Sequence, residues 1–586
     1  MFAEKFNLTL QSVLNFGKKY AIFILAFVIG VLIVFPSAYF HYFDSSYRGI
    51  EFFGSSDEAI YLAQIQEVYD GHYSFGNVYL SDLKDSPSVQ QSLSSFLVMA
   101  MGRIGGMDAP AVNIVTKFVL PFILTLLVYT FFRNLSGRRN LALLLTVFFM
   151  LGPATLIFLN PAAWIPFFKD GALLGVDLKF LTYARPINPQ VSSLFFFGYL
   201  VCFWKFLYEE KRRVYGTLAA VILGLAFYTY FFSWSLLFTL NGALGLWYLI
   251  KKDWAQCKKI IAVTAGAILL GLPYFMNTLD VLNSPWYTQV THRFGVAEGH
   301  TFIFSRIWWG VFFATLFLYR EWDNRKIFIL GWLASAFIVT NQQLITGRTV
   351  PIPSHYHWYY VAPLGGALLI YLVFRQLEKF VSKRIFYACF VFLFILFFSS
   401  AIILQRQSYL SQRDSFADSQ RYAPALFWLE QNLPKDSVIF GNEAVYQLVV
   451  AYTNKNVYYH GGAGDFLINE DRLKHYLFTY LYLKGIGKDE MRAYINNNRD
   501  QVGAWLFSQS YRVSNGCYGC FPDTVIDTLV SGYADFVQHD FVNELKKFPV
   551  DYVVWDKEDN PEWAMDRFFN QSVYADGQIV IYQVNP

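Results

Sequence analysis

Long apolar segments dominate the first two thirds of this chain and constrain its fold more than any other feature. Hydrophobic residues make up 55% of the 586 residues and charged residues only 15%, whereas soluble domains carry about 25% charged residues. A block of about eighteen apolar residues is long enough to cross the hydrocarbon core of a bilayer as a helix. About eleven such spans are predicted, and the fold class is therefore a polytopic α-helical membrane protein. The predicted spans are residues 20–40, 112–132, 140–159, 190–208, 214–230, 232–250, 260–277, 302–319, 327–345, 358–376 and 385–404.

Clusters of lysine and arginine beside these spans predict the orientation, because positive charge collects on the cytoplasmic side. Lys18 and Lys19 precede the first span. All later clusters fall on the same side if the amino terminus is cytoplasmic and eleven spans follow. The later clusters are Arg133, Arg138 and Arg139; Lys211, Arg212 and Arg213; Lys251, Lys252, Lys258 and Lys259; Arg320, Arg325 and Lys326; and Lys379, Lys383 and Arg384.

This orientation places the carboxy-terminal region outside the cytoplasm. The first apolar block is too long for the core of a signal peptide and lacks a convincing cleavage pattern, so we expect it to be an anchor. The net charge of +4 is mostly the cytoplasmic basic excess, and we expect no nucleic-acid partner. The predicted location is the plasma (inner) membrane.

Three outer segments are long, and the last of them changes character. Residues 41–111 form the first outer loop and residues 160–189 the second, within a membrane module predicted to span 1–404. From 405 to 586 short apolar runs replace the long ones. LPKDSVIFGN, KNVYYHGG, FPVDYVVWDK and SVYADGQIVIYQV are typical of strands, and EAVYQLVVAYTN is typical of a helix. Strands alternating with helices predict a small α/β domain.

Two cysteines lie in the predicted outer domain, within NGCYGCF. Outside the cytoplasm, Cys517 and Cys520 are expected to form a local disulfide. Half of a zinc site is the alternative, although the sequence has no obvious second Cys/His pair at metal spacing.

The first outer loop contains GSSDEAIYLAQIQEVYDG, in which two adjacent carboxylates open an amphipathic helix. Ser55 and Glu58 have the spacing of a capping box. A capping role would explain the presence of Glu58, and in part that of Asp57, without any catalytic role. On the following helix Tyr61, Leu62, Ile65, Val68 and Tyr69 form an apolar face, and Gln64, Glu67 and Asp70 form a polar one. This pattern predicts a helix lying on the membrane surface.

An anchor span followed by an outer loop that opens with Asp-Glu-x-x-Tyr resembles the GT-C superfamily of glycosyltransferases. The layout of spans and long outer loops is also similar, as are WLEQNLPKDSVIFGNEAVYQLVVAYTNKNVYYHGG and FPVDYVVWD in the outer domain. The resemblance implies a multi-span enzyme that takes a sugar from a polyprenyl-phosphate carrier. It leaves open whether the acceptor is a glycolipid, a cell-wall glycan or a protein.

The resemblance also implies that a first-loop carboxylate lies in the active site. Because the capping box can occupy Glu58, we expect Asp57 to be the active carboxylate and Glu58 the second candidate. Some members of the superfamily hold a divalent cation there. In this chain Mg²⁺ or Mn²⁺ would have Asp57, Asp170 and Asp177 as ligands, but the last two lie seven residues apart and an Asp-x-Asp pair is missing from the second loop.

A departing lipid phosphate needs cations or N–H donors at the outer edge of the bilayer. Arg185 in TYARPINPQ and Arg348 in TGRTVPIPSHYHW are the first candidates, because their loops are long and contain proline. The further candidates are His355, His357, Lys117 and Arg306. The alternative for Lys117 and Arg306 is that they extend to the interface, and for the two histidines that they belong to an aromatic belt.

Two other functions compete with the enzyme. Ion-coupled transporters usually place acidic groups near the bilayer midplane, and no Asp or Glu lies well inside a predicted span. A flippase for a lipid-linked substrate that works without ion coupling is not excluded. A non-catalytic scaffold whose outer domain binds glycan or peptide is the third alternative.

Overall fold

The computed structural model describes residues 2–55, 57–159, 180–209 and 213–584, and most of these residues are helical. In the membrane module, long helices are joined by shorter ones. Their bounds are α1 Phe2–Phe43, α2 Glu58–Tyr69, α3 Leu93–Gly105, α4 Ala109–Ser136, α5 Arg139–Leu151, α6 Gln190–Tyr208, α7 Arg213–Ala226, α8 Phe231–Ile250, α9 Trp254–Leu282, α10 Tyr287–Arg293, α11 Arg306–Leu318, α12 Asn324–Asn341, α13 Gln343–Thr346, α14 Ser354–Tyr356, α15 Ala362–Phe380 and α16 Lys383–Ser419. A π-helical turn, His357–Val361, joins α14 to α15.

Each predicted span coincides with a helix, but not every helix is long enough to cross a bilayer. Seven helices within the described residues have the length and apolar composition of a membrane span. They are Tyr20–Phe43, Ala109–Ser136, Gln190–Tyr208, Phe231–Ile250, Trp254–Leu282, Ser354–Phe380 and Lys383–Asn432. Four shorter apolar helices, including α7 and α11, occur at other predicted spans or in the first outer loop. The chain is thus a multi-pass membrane protein, and the count of eleven stays a prediction.

The helices of the membrane module pack around one apolar core. Helix α4 packs against α1, α5 and α6, and α5 in turn packs against α15 and α16. Buried leucine, phenylalanine and valine side chains from these helices form this core, among them Leu124, Phe131, Leu145 and Phe197. The arrangement brings the carboxy-terminal part of α1 and the amino-terminal part of α4 next to the start of α2.

Helix α2 is enclosed on both faces. It packs against α3 and α4 and against a helix of the terminal domain, Glu443–Tyr452. The predicted polar face is not exposed to water, because Gln64 and Glu67 are buried as well as the apolar residues. Glu67 is paired with Lys84 at 2.6 Å. The prediction of a water-exposed polar face on a surface-lying α2 is therefore wrong, since Gln64 and Glu67 are buried against Gln90 and Lys84 of the first outer loop.

The terminal domain contains eight helices and five short strands. Its helices are α17 Ala423–Asn432, α18 Glu443–Tyr452, α19 Glu470–Leu483, α20 Met491–Asn497, α21 Arg499–Phe507, α22 Ser510–Asn515, α23 Asp523–Phe536 and α24 Phe541–Leu545. Its strands are β1 Val438–Phe440, β2 Asn456–Val457, β3 Tyr552–Asp556, β4 Ser572–Asp576 and β5 Ile579–Gln583. Each of the four strand-like sequence runs contributes to this sheet. Cys517 and Cys520 are joined in a disulfide.

The sheet is mixed, with the strand order β2-β1-β3-β5-β4. Strand β1 is parallel to both β2 and β3, whereas β5 is antiparallel to β3 and β4. Helix α18 connects β1 to β2 in a β-α-β unit. The predicted domain boundary at residue 405 falls inside α16, which continues without interruption to Ser419.

The first outer loop connects the terminal domain to the membrane module through hydrogen bonds. The backbone N–H of Val457, in the edge strand β2, donates to the carbonyl of Tyr79 at 3.0 Å. Next to this bond the side-chain amide of Asn77 donates to the carbonyl of Ala463. The first outer loop therefore pairs with a backbone group that an edge strand would leave unpaired. Since α2 belongs to the same loop, its start lies beside the terminal domain.

Candidate functional site at the start of helix α2

The first turn of α2 has a different capping arrangement from the one the sequence predicts. The helix begins at Glu58, and Asp57 is its N-cap residue without a side-chain capping bond. Within the described ranges the hydroxyl of Ser55 has no hydrogen-bond partner, so the predicted capping box between Ser55 and Glu58 does not form. The Glu58 carboxylate does extend back to a backbone N–H, but it accepts from Gly54 at 2.5 Å.

Glu58 is enclosed at the junction of three helices. Its side chain is 0% exposed and is paired with Lys117, which is 1% exposed. Asn113 donates its side-chain amide to the same carboxylate at 2.6 Å, and the ammonium group of Lys117 also donates to the hydroxyl of Ser37 at 2.8 Å. These contacts join α1, α2 and α4. The polar atoms of Glu58 and Lys117 are already paired with each other and with neighbouring groups of the protein, which argues against the catalytic and phosphate-binding roles predicted for them.

Asp57, one residue earlier, has the opposite environment. Its side chain is 45% exposed, and its Oδ2 lies 2.9 Å from Nη2 of Arg185. Gly54 permits this approach, since a Cβ there would lie 3.2 Å from the Cβ of Ala184. The structure thus brings Asp57, the carboxylate predicted to be active, next to Arg185, one of the two cations first predicted to bind phosphate. Asp57 belongs to the first outer loop and Arg185 to the second.

Arg185 is held by aromatic side chains as well as by Asp57. Its Nη2 donates to the hydroxyl of Tyr61 at 2.7 Å, and its Nη1 donates to the hydroxyl of Tyr359. The guanidinium carbon lies 5.0 Å from the ring centre of Tyr61 and 5.6 Å from that of Tyr359, within the range of cation–π attraction. The Nε–H is buried and has no acceptor among the described residues, so one donor of a well-fixed guanidinium is unused by them.

His355 extends this polar cluster toward α8. Its Nδ1 lies 2.7 Å from the hydroxyl of Tyr230, and its ring is 5.3 Å from that of Tyr359. Tyr359 connects it in turn to Arg185. We call Asp57, Tyr61, Arg185, His355 and Tyr359 the arginine cluster. Three of its five members, Asp57, Arg185 and His355, are predicted from the sequence.

The other predicted site residues lie apart from this cluster or outside the described residues. Arg348 is exposed in the turn after α13, and Arg306 is exposed at the start of α11. The ring of His357 is directed toward Trp358, at 5.1 Å between ring centres. Asp170 and Asp177 lie outside the described residues.

Sequence reasoning missed the tyrosines and a second carboxylate. Tyr61 is on the apolar face of α2 in the helical pattern, and tyrosine is too common in this chain, at 40 residues, to give a signal. Asp465 is the last residue of a glycine-rich turn in the terminal domain. Burial raises the pKa of Asp465 to about 7, Arg293 opposes the shift, and the charge of Asp57 adds to it. Asp57 and Asp465 are therefore close enough to interact.

The contacts of Asp57 do not fit a bound divalent cation. Its nearest charged partner is the guanidinium of Arg185, which would repel the metal. Within the described ranges no group of three or more His, Cys, Asp or Glu side chains has the arrangement of a metal site.

Comparisons with known proteins give similar solved structures but no sequence relatives. No protein-family model and no curated protein matches the chain. The oligosaccharyltransferase of Archaeoglobus fulgidus tethered with an acceptor peptide matches 93% of this chain and 70% of its own, at 12% identity and a TM-score of 0.48. ArnT from Cupriavidus metallidurans bound to undecaprenyl phosphate matches 97% of this chain and 98% of its own, at 12% identity and a TM-score of 0.46.

A further structure of the Archaeoglobus fulgidus protein, AglB, contains an inhibitory peptide and a dolichol-phosphate and has a TM-score of 0.46 at 11% identity. Both proteins are GT-C glycosyltransferases, the superfamily that the first-loop motif of this chain resembles. At these identities the likeness does not extend to substrate or mechanism, which depend on the residues of the site itself.

Proposed function

We propose that this protein is an integral membrane glycosyltransferase that transfers a sugar from a polyprenyl-phosphate donor to an acceptor outside the cytoplasm. The unused Nε–H of Arg185 is the observation that carries this proposal. Leaving a buried donor unpaired costs about 1–3 kcal/mol, and a phosphate oxygen would satisfy it. Arginine beside tyrosine hydroxyls also supplies the planar, fixed donors that suit phosphate.

In the proposed reaction a hydroxyl or amine of the acceptor attacks the anomeric carbon of the sugar. The new bond forms as the bond between that carbon and the phosphate oxygen breaks, so the configuration inverts. The bond electrons leave with the lipid phosphate, whose added negative charge Arg185 stabilises. Such preorganised donors are often the largest single contribution to catalysis.

Asp57 faces the acceptor in this mechanism. One carboxylate oxygen contacts Arg185, and the exposed part of the side chain is free to accept a hydrogen bond from the attacking group. The amino end of a helix favours the ionised form of a carboxylate, so positioning of the acceptor is the main role assigned to Asp57. The acceptor proton passes to this carboxylate or through it to water.

The location follows from the same proposal. The arginine cluster lies at the outer ends of the spans if the amino terminus is cytoplasmic, and the donor tail stays in the bilayer. We place the protein in a bacterial plasma membrane, with the terminal domain outside.

The test is transfer of label by the purified protein from radiolabelled polyprenyl-phosphate monosaccharides to an envelope fraction of the source organism. We expect Asp57→Asn to lower the rate about 10²- to 10⁴-fold, the usual contribution of a positioned acid–base group. Asp85→Asn is the matched control, because Asp85 is an exposed carboxylate of the same loop. The proposal fails if the wild-type protein consumes no donor of a broad panel. Flipping of the intact lipid-linked sugar without transfer would instead support a flippase.

A further inference from the structure

A second group of polar side chains lies at the edge of the terminal sheet where the parallel strands β1 and β2 end. Glu443 follows β1, in the first turn of α18. Tyr459 and His460 follow β2 and lead into the glycine-rich 3₁₀ turn Gly461–Asp465. The carboxyl ends of adjacent parallel strands meet at one edge, which is where α/β domains commonly bind ligands.

The first outer loop completes this edge with Tyr79. Its ring stacks on that of His460, with 3.9 Å between ring centres and 8° between ring planes. The phenol oxygen lies directly over the glycine-rich turn, since a Cβ on Gly462 would be only 2.8 Å from it. A Cβ on Gly461 would lie 3.4 Å from Oε1 of Glu443. We call Tyr79, Glu443, Tyr459, His460 and Asp465 the edge cluster.

Four polar atoms of the edge cluster are buried and have no hydrogen-bond partner in the part of the chain that the structure describes. They are the hydroxyls of Tyr79 and Tyr459, Nε2 of His460 and Oε2 of Glu443. Tyr79, Tyr459 and His460 are 0%, 2% and 3% exposed. Buried polar groups in folded proteins nearly always have partners. Four such atoms at one sheet edge therefore indicate a ligand that supplies them.

The hydrogen bonding of His460 identifies its free atom as a donor. Its Nδ1 accepts from the backbone N–H of Gly462 at 2.9 Å. Burial lowers the pKa of His460 to about 3, so the ring is neutral and its single proton is on Nε2. The cluster therefore offers an N–H donor, a carboxylate acceptor and two phenols that can donate or accept.

The edge cluster is electrostatically connected to the arginine cluster. Burial raises the pKa of Tyr79, and the nearby charges of Asp465, Asp57 and Glu443 add to the shift. Arg293, a residue of the membrane module, binds the turn that contains Asp465. Its Nε donates to the carbonyl of Gly464 at 2.8 Å, and its Nη2 donates to the carbonyl of Ile468 at 2.9 Å. The charges that act on Tyr79 thus come both from the first outer loop and from the terminal domain.

We propose that the edge cluster binds the acceptor and that this acceptor is a hydroxyl-rich glycan. The inference rests on the proposed function and assigns its acceptor. A sugar hydroxyl donates one hydrogen bond and accepts two, and neighbouring hydroxyls on one ring can satisfy a mixed set of close donors and acceptors. A glycan bound beside Tyr79 and His460 would lie at the junction of the terminal domain with the first outer loop, the loop that also carries Asp57.

The chemical class is tested by destroying one kind of acceptor at a time. The envelope fraction is treated with periodate, which cleaves vicinal diols, or with protease, and each reagent is quenched before labelled donor and wild-type protein are added. We expect periodate to remove at least about nine tenths of the transferred label and protease to leave it unchanged. Label that survives periodate and is lost after protease treatment would overturn the glycan assignment in favour of a peptide.

The location of the site is tested with Tyr79→Phe, which deletes one hydroxyl and keeps the stacked ring. The loss of one hydrogen bond, typically about 0.5–1.5 kcal/mol, predicts an acceptor KM raised about 2- to 12-fold, with the donor KM unchanged. Tyr73→Phe is the control, because Tyr73 is exposed in the same loop. An unchanged acceptor KM in both Tyr79→Phe and Tyr459→Phe would overturn the site. If wild-type protein consumes no donor, the proposed function itself fails, and this result differs from transfer with unaltered acceptor KM.

Discussion

Glu58 and Lys117 form an ion pair in which both side chains are sealed from solvent, at 0% and 1% exposure. Asp57, adjacent to Glu58, is 45% exposed and is paired with Arg185. Of these two adjacent carboxylates, Glu58 thus joins helices, and Asp57 is exposed enough for the contact with an acceptor that we propose. An experiment can separate the structural role of Glu58 from the proposed role of Asp57. Removing one partner of a buried ion pair leaves the other charge unpaired and lowers the stability of the fold.

We expect Glu58→Gln to destabilise the protein by about 3–5 kcal/mol, the usual cost of breaking a buried ion pair from one side. Combining it with Lys117→Met removes the orphaned charge and should restore much of the stability. Asp57→Asn should leave the unfolding temperature unchanged while lowering transfer. Thermal unfolding in detergent measures all three variants. Equal destabilisation by Asp57→Asn and Glu58→Gln would contradict the division of roles.

Arg185→Lys should weaken binding of undecaprenyl phosphate about 10- to 100-fold. A lysine keeps the charge, but it cannot contact Asp57, Tyr61 and Tyr359 with one planar group and still offer a free donor. Each hydrogen bond to a charged group contributes about 1.5–3 kcal/mol. Titration of the purified protein with the lipid measures the affinity.

Arg348→Lys is the informative comparison, since Arg348 is exposed and away from the arginine cluster. We expect it to bind the lipid nearly as well as the wild-type protein. The reverse result, with binding lost in Arg348→Lys and retained in Arg185→Lys, would place the phosphate at Arg348.

The raised pKa of Asp465 predicts that the stability of the folded protein falls as the pH rises. Burial is the main cause that raises its pKa from 3.8 to about 7, so the folded protein binds a proton there that the unfolded chain releases. This contribution is fully present below pH about 4 and is lost as the pH rises through about 7. The unfolding temperature of the wild-type protein should therefore fall relative to that of Asp465→Asn over this window and not beyond it.

Two carboxylates serve as references for this measurement. Asp489 is exposed, and Asp489→Asn should track the wild-type protein at every pH. Burial also raises the pKa of Asp70 to about 7, and Glu67 adds to that shift. Asp70→Asn should therefore remove a separate part of the same dependence. A difference between wild type and Asp465→Asn that stays constant from pH 4 to 7 would rule out the shifted group.

The orientation is checked with single cysteines in a protein whose Cys202, Cys257 and Cys389 are replaced by alanine. A membrane-impermeant maleimide added to intact cells should label Lys488→Cys in the terminal domain. It should not label Lys258→Cys, which lies at the start of α9 and is predicted to be cytoplasmic. Labelling of Lys258→Cys alone would show that the orientation is inverted.

The sequence by itself determined the elements that depend on local pattern. Uninterrupted apolar runs located the membrane helices, because a helix in lipid must be apolar along its length. Short apolar runs beside turn residues located the strands, including the pair that turns at Asp576 and Gly577. The choice of Asp57 over Glu58 also came from local reasoning, although by way of a capping box with Ser55 that does not form.

Only the tertiary structure decided which side chains meet. Glu58 is neutralised by Lys117, Asp57 meets Arg185, and Tyr79 meets His460 across long separations in the chain, which local periodicity cannot encode. The burial of α2 is the plainest case. Its Gln64 and Glu67 have the spacing of a face exposed to water, yet both are buried, since the terminal domain packs on α2 and since Gln90 and Lys84 of the first outer loop pair with them.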